Sequence, residues 1–176
     1  MYTIAPQEGQ PISNSQSSGE PSLSSLSATA ARQALDAGDI SAEELTHACL
    51  ERITEREEAV GAWIYLDRDL ALAQARTLDA RKKAGDPLGP LHGIPVGLKD
   101  IFDTNDMPTE CGSAFYAGRK PIEDSTIASL LRSAGAVILG KTVTTEWALS
   151  APGKTANPLD ASRTPGGSSS GSAAAV

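Results

Sequence analysis

Apolar positions recur at helical spacing in the stretch that follows residue 40. Leu45, Cys49 and Ile53 lie four residues apart, so they form one apolar stripe on a helix that we expect to pack in a core. The start of this helix is marked by Ser41 and Glu44, which have the spacing of a capping box. In that motif the serine side chain accepts from the third helical N–H, and the glutamate bonds back to the serine N–H.

Two further helices and a short strand are predicted around this helix. One helix runs from near Ser27 to Ala37, where a glycine follows, and another runs from its capping residue Asp67 to about Ala84, again before a glycine. Residues 61–65 contain a glycine followed by aromatic and β-branched residues, which is typical of a short strand.

The pattern changes at Gly89–Pro90, after which short apolar segments alternate with glycines. Residues 94–99 and 136–139 are predicted strands, and the second is apolar throughout, as expected of a buried strand. The fold class is therefore α/β, with N-terminal helices followed by the first strands and helices of a mixed sheet covered by helices. The covering helix between the two strands has an apolar stripe that we expect to face the sheet, formed by Ile127, Leu130, Leu131 and Ala134.

Composition divides the chain into three parts. Residues 1–25 are rich in Ser, Pro, Gln and Gly and cannot bury enough apolar surface to offset their ordering entropy, so we predict a disordered tail. Residues 26–88 are predicted to form a helical segment. Residues 89–176 are predicted to form the first part of a core.

The overall composition argues against several classes of function. The chain is 40% hydrophobic and 21% charged with a net charge of −7, which suits a soluble globular protein and provides no basic patch for nucleic acid. No apolar run reaches the roughly 18 residues of a membrane span. The first residues lack the basic start and apolar stretch of a signal peptide, so the cytoplasm is the expected compartment.

The two cysteines do not indicate a cross-link or a metal site. Cys49 and Cys111 are 62 residues apart, and no second pair accompanies them. We therefore expect two buried thiols rather than a disulfide or a zinc site. No ligand spacing in the chain indicates a metal or another cofactor.

Residues 135–142 match the P-loop pattern of nucleotide-binding proteins letter by letter. That loop requires a flexible turn with a strand before it and a helix after it. In this chain the four variable positions are Ala, Val, Ile and Leu, and the predicted helix comes before them. We interpret the segment as a strand.

Residues 167–171 match the nucleophile elbow of α/β-hydrolases. The elbow directly follows a strand and its histidine comes later in the chain, whereas His47 and His92 both lie upstream. A serine-rich loop that caps the N-terminus of a helix explains these residues better. Such a loop is a suitable place for an anion or a developing oxyanion.

Lys99 ends an otherwise apolar predicted strand that follows Gly93 and contains Gly97. Two interpretations remain open from the residues alone. The side chain either extends to water, or it is desolvated and can serve as a base.

Several stretches, in this order and spacing, resemble the amidase signature family: residues 89–100, 131–142, 146–148, 157–158 and 164–176. The resemblance extends from Ala28 to the end of the chain and implies an incomplete amidase signature core. The family's catalytic set is a nucleophilic serine, a serine after a cis peptide bond and a lysine. Its lysine falls on Lys99 and its cis-serine on Ser168. We therefore expect hydrogen-bonding contact between these side chains and a cis peptide between Gly167 and Ser168.

The resemblance implies hydrolysis of a small-molecule carboxylic amide to an acid and ammonia or an amine. A serine acyl-enzyme would form, with Lys99 as base and Ser168 relaying the proton. The nucleophilic serine is expected about two dozen residues past Ser168, beyond the last residue of this chain. Two alternatives stay open: the ammonia-releasing A subunit of a tRNA-dependent amidotransferase, which shares these motifs, and an inactive truncated fragment. The oligomeric state is open.

Other family-like residues are predicted to have structural roles, mainly as hydrogen-bonding groups: His92, Asp100, Lys141, Thr142 and Glu146. Ser170 stands where many family members have glycine. The strands that flank residues 94–99 and 136–139 are expected later in the chain, because buried parallel strands need pairing on both edges.

Overall fold

The computed structural model describes residues 22–176. Most of the predicted disordered tail, residues 1–21, lies outside the described residues. The helices are α1 (Ala28–Ala37), α2 (Ala42–Val60), α3 (Arg68–Ala84), α4 (Thr126–Ser133) and α5 (Ser170–Ala175), and the strands are β1 (Trp63–Leu66), β2 (Pro95–Lys99) and β3 (Val137–Thr142). Short 3₁₀ turns span Leu23–Ser25, Ala114–Tyr116 and Glu146–Ala148. The first of these turns lies inside the stretch predicted to be disordered.

The predicted helix starts are confirmed by their caps. Ser27 accepts a hydrogen bond from the Ala30 N–H, and Asp67 accepts one from the Leu70 N–H. At α2 the reciprocal capping box is complete, and a glycine in the left-handed conformation ends each of α1, α2 and α3. These caps satisfy backbone groups that a helix end leaves without partners. The local sequence therefore determines where these helices begin and end.

The strands form one mixed sheet in the order β1-β3-β2. The central strand β3 pairs antiparallel with β1 and parallel with β2. The mixed sheet is as predicted, but the expectation that the strand flanking residues 136–139 comes later in the chain is wrong. That strand comes earlier, because the short segment 63–66 crosses to pair with the far end of β3. That pairing joins residues almost 80 positions apart, Trp63 and Thr142, and local patterning carries no signal of it. The strand expected to flank residues 94–99 stays a prediction.

Two apolar clusters pack against the sheet. The larger one joins buried residues of α1, α2 and α3 to Trp63, Val137 and Leu139. The smaller one contains Leu98, Met107, Ala128 and Ile138. All six residues of β3 are buried, so this strand is the centre of the structure.

The predicted inward face of α4 is wrong. Ile127 is 44% exposed and Leu130 is 60% exposed, whereas Ala128 is completely buried and Leu131 packs partly buried beside it. The helix is thus turned by about one residue, or 100°, from the predicted orientation. Ala128 packs in the smaller cluster with Leu98 and Ile138 of the sheet. Arg132, on another flank of the helix, forms ion pairs with Asp106 and Asp124.

Candidate active site

Lys99 lies at the carboxyl end of β2, and its Nζ donates to Ser168 Oγ at 2.6 Å across 69 positions of sequence. The predicted contact is therefore present. The side chain is half-buried rather than enclosed, so both interpretations drawn from the sequence were partly right. Among residues 22–176, Ser168 provides the one hydrogen-bond partner of this amine.

The loop before α5 presents Ser168 to the lysine. The peptide bond between Gly167 and Ser168 is cis, as predicted. The Ser168 carbonyl accepts from the Thr145 N–H at 3.0 Å, which fixes the loop to the chain just past β3. The other serines of the run face elsewhere: Ser169 is exposed, whereas Ser170 is buried with its hydroxyl 3.4 Å from the Val143 carbonyl. Ser168 is thus the serine of this run that meets Lys99.

The start of α5 lies against the backbone of its neighbours. The Gly171 N–H donates to the Val143 carbonyl at 2.9 Å, and a Cβ at Gly171 would lie 2.2 Å from the Ala62 carbonyl oxygen. Only glycine fits at that distance. Ser169 precedes the helix but makes no side-chain cap, so the expectation of a serine-capped helix is wrong. Main-chain contacts, rather than a capping hydroxyl, place this helix.

A second lysine, Lys141, lies on the neighbouring strand and is fully buried. Its Nζ is 3.3 Å from Asp100 Oδ1 and donates to Thr109 Oγ1 at 2.6 Å and to the Pro108 carbonyl at 3.1 Å. Burial lowers the pKa of Lys141 and raises the pKa of Asp100, and the attraction between the two groups opposes both shifts. The predicted structural roles of Asp100 and Lys141 fit this arrangement.

The strand register separates the two lysines. Leu98 is the partner of Lys141, and Lys99 is the partner of Thr142. Because successive residues of a strand point to opposite faces, the two amines leave the sheet on opposite sides. The register also shifts by one residue between Val96 and Gly97, a β-bulge of the kind that re-aims side chains beside functional sites.

Glu146 and His92 have different surroundings. Ser113 Oγ donates to Glu146 Oε1 at 2.8 Å, as expected of a structural group. His92 is buried, but its Nε2 has no partner among the described residues, so the expected hydrogen-bonding role is wrong for this atom. Burial, and next the charge of Arg32, lower the pKa of His92. A buried neutral ring is consistent with both observations.

Three further sequence interpretations can be checked. Residues 137–142 form β3, so the rejection of a P-loop at residues 135–142 is confirmed. Cys49 and Cys111 are free, and both are half-buried rather than buried. Among residues 22–176, no cluster of three or more His, Cys, Asp or Glu side chains could hold a metal ion, and no helix is long and apolar enough to cross a membrane.

The contact that sequence analysis missed is between Thr142 and Ser172. Their hydroxyl oxygens are 2.7 Å apart and join the end of β3 to α5. Thr142 was predicted to be structural, and Ser172 was assigned no role. Both residues lie in motif stretches, but nothing in their spacing indicates that they meet.

Comparison with known proteins gives one consistent result. A family model described as Amidase matches residues 44–176. The chain is 53% identical over 146 residues to the A subunit of glutamyl-tRNA(Gln) amidotransferase from Acidothermus cellulolyticus, a match that covers 80% of this chain and 29% of that protein. It is 49% identical over 160 residues to the protein of the same name from Salinispora arenicola, covering 88% of this chain and 33% of that one.

Two solved structures also resemble the chain. Native peptide amidase from Stenotrophomonas maltophilia aligns with a TM-score of 0.80 and 37% identity, over 86% of this chain and 34% of that one. Fatty acid amide hydrolase aligns with a TM-score of 0.78 and 30% identity, over 87% of this chain and 29% of that one. The chain spans about a third of the length of these relatives. Because the family model covers 133 of its 176 residues, the chain belongs to the amidase family, the amidase signature enzymes that the sequence motifs indicated.

Proposed function

We propose that this chain carries the general base and the proton-relaying serine of an amide hydrolase. The base is Lys99 and the relay is Ser168. The observation that supports these roles is the 2.6 Å contact between Lys99 Nζ and Ser168 Oγ. Heavy atoms at this separation can exchange a proton directly.

Amides require this type of assistance because they are poor electrophiles with a poor leaving group. In the proposed reaction a nucleophilic serine gives its proton to Ser168 Oγ while Ser168 gives its own proton to the Lys99 amine. The serine oxygen bonds to the carbonyl carbon, and the proton returns along the same path to the departing nitrogen as the C–N bond breaks. Water then releases the acid from the acyl-enzyme. We expect this nucleophile past Val176, as the family resemblance implies.

The substrate class is a small carboxamide that releases ammonia or an amine. A second candidate is the ammonia-releasing A subunit of a tRNA-dependent amidotransferase, and a specific observation favours it. Relatives that are 46–53% identical to this chain are named as the A subunit of glutamyl-tRNA(Gln) amidotransferase. The two candidates share the chemistry at Lys99 and Ser168 and differ in the source of the amide. The cytoplasmic location stays a prediction.

A pair of chimeras tests the proposal. In the first, called the peptide-amidase chimera, residues 44–176 replace the matching segment of the Stenotrophomonas peptide amidase. In the second, they replace the matching segment of the Acidothermus protein. Ammonia release is followed from simple carboxamides and from glutamine, the second chimera being assayed with its own partner subunits. We expect turnover in at least one chimera. The two candidate functions are distinguished by which chimera shows turnover and by which amide it hydrolyses.

Two outcomes would count against the proposal. If neither chimera turns over any amide although both fold like their parents, the segment does not supply a working base and relay. If the 176-residue chain alone hydrolyses carboxamides, catalysis uses a serine already present and the assigned roles are wrong. The 176-residue chain alone is expected to show no turnover, because the proposed nucleophile is not among its residues.

A further inference from the structure

The hydroxyls of Thr142 and Ser172 meet at 2.7 Å, and this contact joins the two elements that carry the proposed base and relay. Thr142 is the register partner of Lys99 on the adjacent strand. Ser172 lies four residues after Ser168, in α5. Thr142 is 1% exposed, so its hydroxyl has no access to water as a substitute partner. A buried hydroxyl that loses its partner costs about 1–3 kcal/mol, which makes this contact persistent.

The remaining attachments of the serine loop to β3 and the residues just past it involve main-chain atoms. The Thr145 N–H donates to the Ser168 carbonyl, and the Gly171 N–H donates to the Val143 carbonyl. Within residues 22–176, the contact between Thr142 and Ser172 is the one side-chain-to-side-chain hydrogen bond between β3 and residues 166–176. Apart from the 3.4 Å contact of the Ser170 hydroxyl with the Val143 carbonyl, it is the attachment that a point mutation can remove without altering the backbone.

The Thr142 side chain is itself held in one orientation. Its γ-methyl occupies the space beside Gly97, where a Cβ added to that glycine would lie 2.9 Å from the methyl carbon. β-Branched side chains have few χ1 choices, so a fixed methyl also fixes the hydroxyl. With the methyl against Gly97, the hydroxyl points at Ser172.

We propose that Thr142 and Ser172 are positioning residues that set the separation of Lys99 Nζ and Ser168 Oγ. The inference rests on the proposed function of those two groups. Without the hydroxyl pair, the first turn of α5 loses its side-chain connection to the strand beside Lys99, and the relay serine moves with it. Proton transfer needs a heavy-atom separation of about 2.6–3.2 Å. A misplacement of about 1 Å can lower a rate as much as 100-fold.

Thr142→Val tests the inference, because valine keeps the shape of threonine and removes the hydroxyl. In the crystal structure of the 176-residue chain, we expect the separation of Lys99 Nζ and Ser168 Oγ to exceed about 3.5 Å in this variant. In the peptide-amidase chimera, kcat should fall about tenfold with KM within about twofold. Thr142→Ser keeps the hydroxyl but lacks the methyl that orients it, so it should recover the separation and kcat only in part.

Thr155→Val is the matched control. Thr155 is also buried and also donates one hydrogen bond, to the Gly61 carbonyl at 2.9 Å, but its hydroxyl makes no hydrogen bond to Lys99 or to the serine loop among the described residues. Thr155→Val should lower the free energy of unfolding by a similar amount. It should leave the separation of Lys99 Nζ and Ser168 Oγ and the kcat of the chimera unchanged. The inference is overturned if Thr142→Val keeps the separation within about 0.3 Å of the parent, or if Thr155→Val lowers kcat equally. A parent chimera without turnover would count against the proposed function, while the measured separation would still decide the positioning role.

Discussion

The two lysines on adjacent strands show how the surroundings determine what one type of side chain can do. An ammonium has three donors, and Lys141 uses them on a carboxylate, a hydroxyl and a carbonyl with no exposure to solvent. Lys99 is half-buried and meets a single hydroxyl among the described residues. A lysine with every donor engaged stabilises a structure but cannot readily accept a proton. A lysine with one partner and an open side can take part in proton transfer.

The two faces of the sheet are also held to their neighbouring segments in different ways. On the Lys141 side, residues 100–119 fold back so that Asp100 and Thr109 surround the amine, and Asp100 accepts from the Glu110 N–H. On the Lys99 side, a glycine-rich loop and a short helix approach closely through backbone atoms. Charge compensation organises the first face and close backbone approach organises the second. Mutations on the two faces should therefore affect different measurements.

The largest expected effect is on turnover, from Ser168→Ala in the peptide-amidase chimera. Loss of the relay should lower kcat/KM on the order of 10³-fold, because general acid–base transfer contributes about 10²–10⁴. Ser169→Ala is the matched control, since Ser169 is exposed and makes no capping bond. Its kcat/KM should stay within about twofold of the parent. Equal losses of kcat/KM in the two variants would show that Ser168 has no special role.

The next effect is on stability, on the other face. Asp100→Leu leaves the buried Lys141 ammonium uncompensated and should lower the free energy of unfolding by about 3–5 kcal/mol. Adding Lys141→Met removes that charge and should recover part of the loss, as urea denaturation of the parent and the two variants would show. A double variant less stable than Asp100→Leu alone would mean that Lys141 is not held by charge compensation.

The smallest effect is the pH dependence of an ion pair near Lys141. The Arg119 hydrogen bond holds the pKa of Asp103 below its ordinary value, so folding favours the charged carboxylate. This stabilisation is present above the unfolded pKa, about 4, and is lost as pH falls through the folded pKa. Both side chains are about one-third exposed, which limits the effect to about 0.5 kcal/mol.

Asp103→Asn is the variant that checks this effect. It should flatten the loss of unfolding free energy on acidification below about pH 4, because asparagine does not titrate. Glu55→Gln serves as a control, since Glu55 forms a more exposed pair with Arg52 on α2. An unchanged acid slope in Asp103→Asn would show that Arg119 does not stabilise the charged carboxylate.

Sequence analysis was most reliable where the structure depends on neighbouring residues. The caps of α1, α2 and α3 follow from side chains within a few positions of each helix end, and the contact of Lys99 with Ser168 followed from a family resemblance. The orientation of α4 was wrong because a small residue, Ala128, is the one that is completely buried while the larger Ile127 and Leu130 remain exposed. Helical spacing shows which residues share a face but not which face the sheet accepts.

Contacts between distant segments, other than the one that the family resemblance implied, could not be predicted. The antiparallel pairing of β1 with β3, and the bond between Thr142 and Ser172, depend on how the chain folds back over tens of residues. The bulge between β2 and β3 was not predicted either, although Gly97 and Gly140 inside the strands were a signal for it. Interior glycines in a predicted strand are worth examining as signs of a register shift.

The assignment of Lys99 as the base is tested most directly by turnover of the peptide-amidase chimera carrying Lys99→Ala, measured together with its thermal unfolding. We expect amide hydrolysis to fall at least about 1000-fold, while Tm stays within about 3 °C of the parent. This result would make Lys99 the base rather than a support for the fold. Turnover within about tenfold of the parent, a change of only about 1.4 kcal/mol in the barrier, would contradict it.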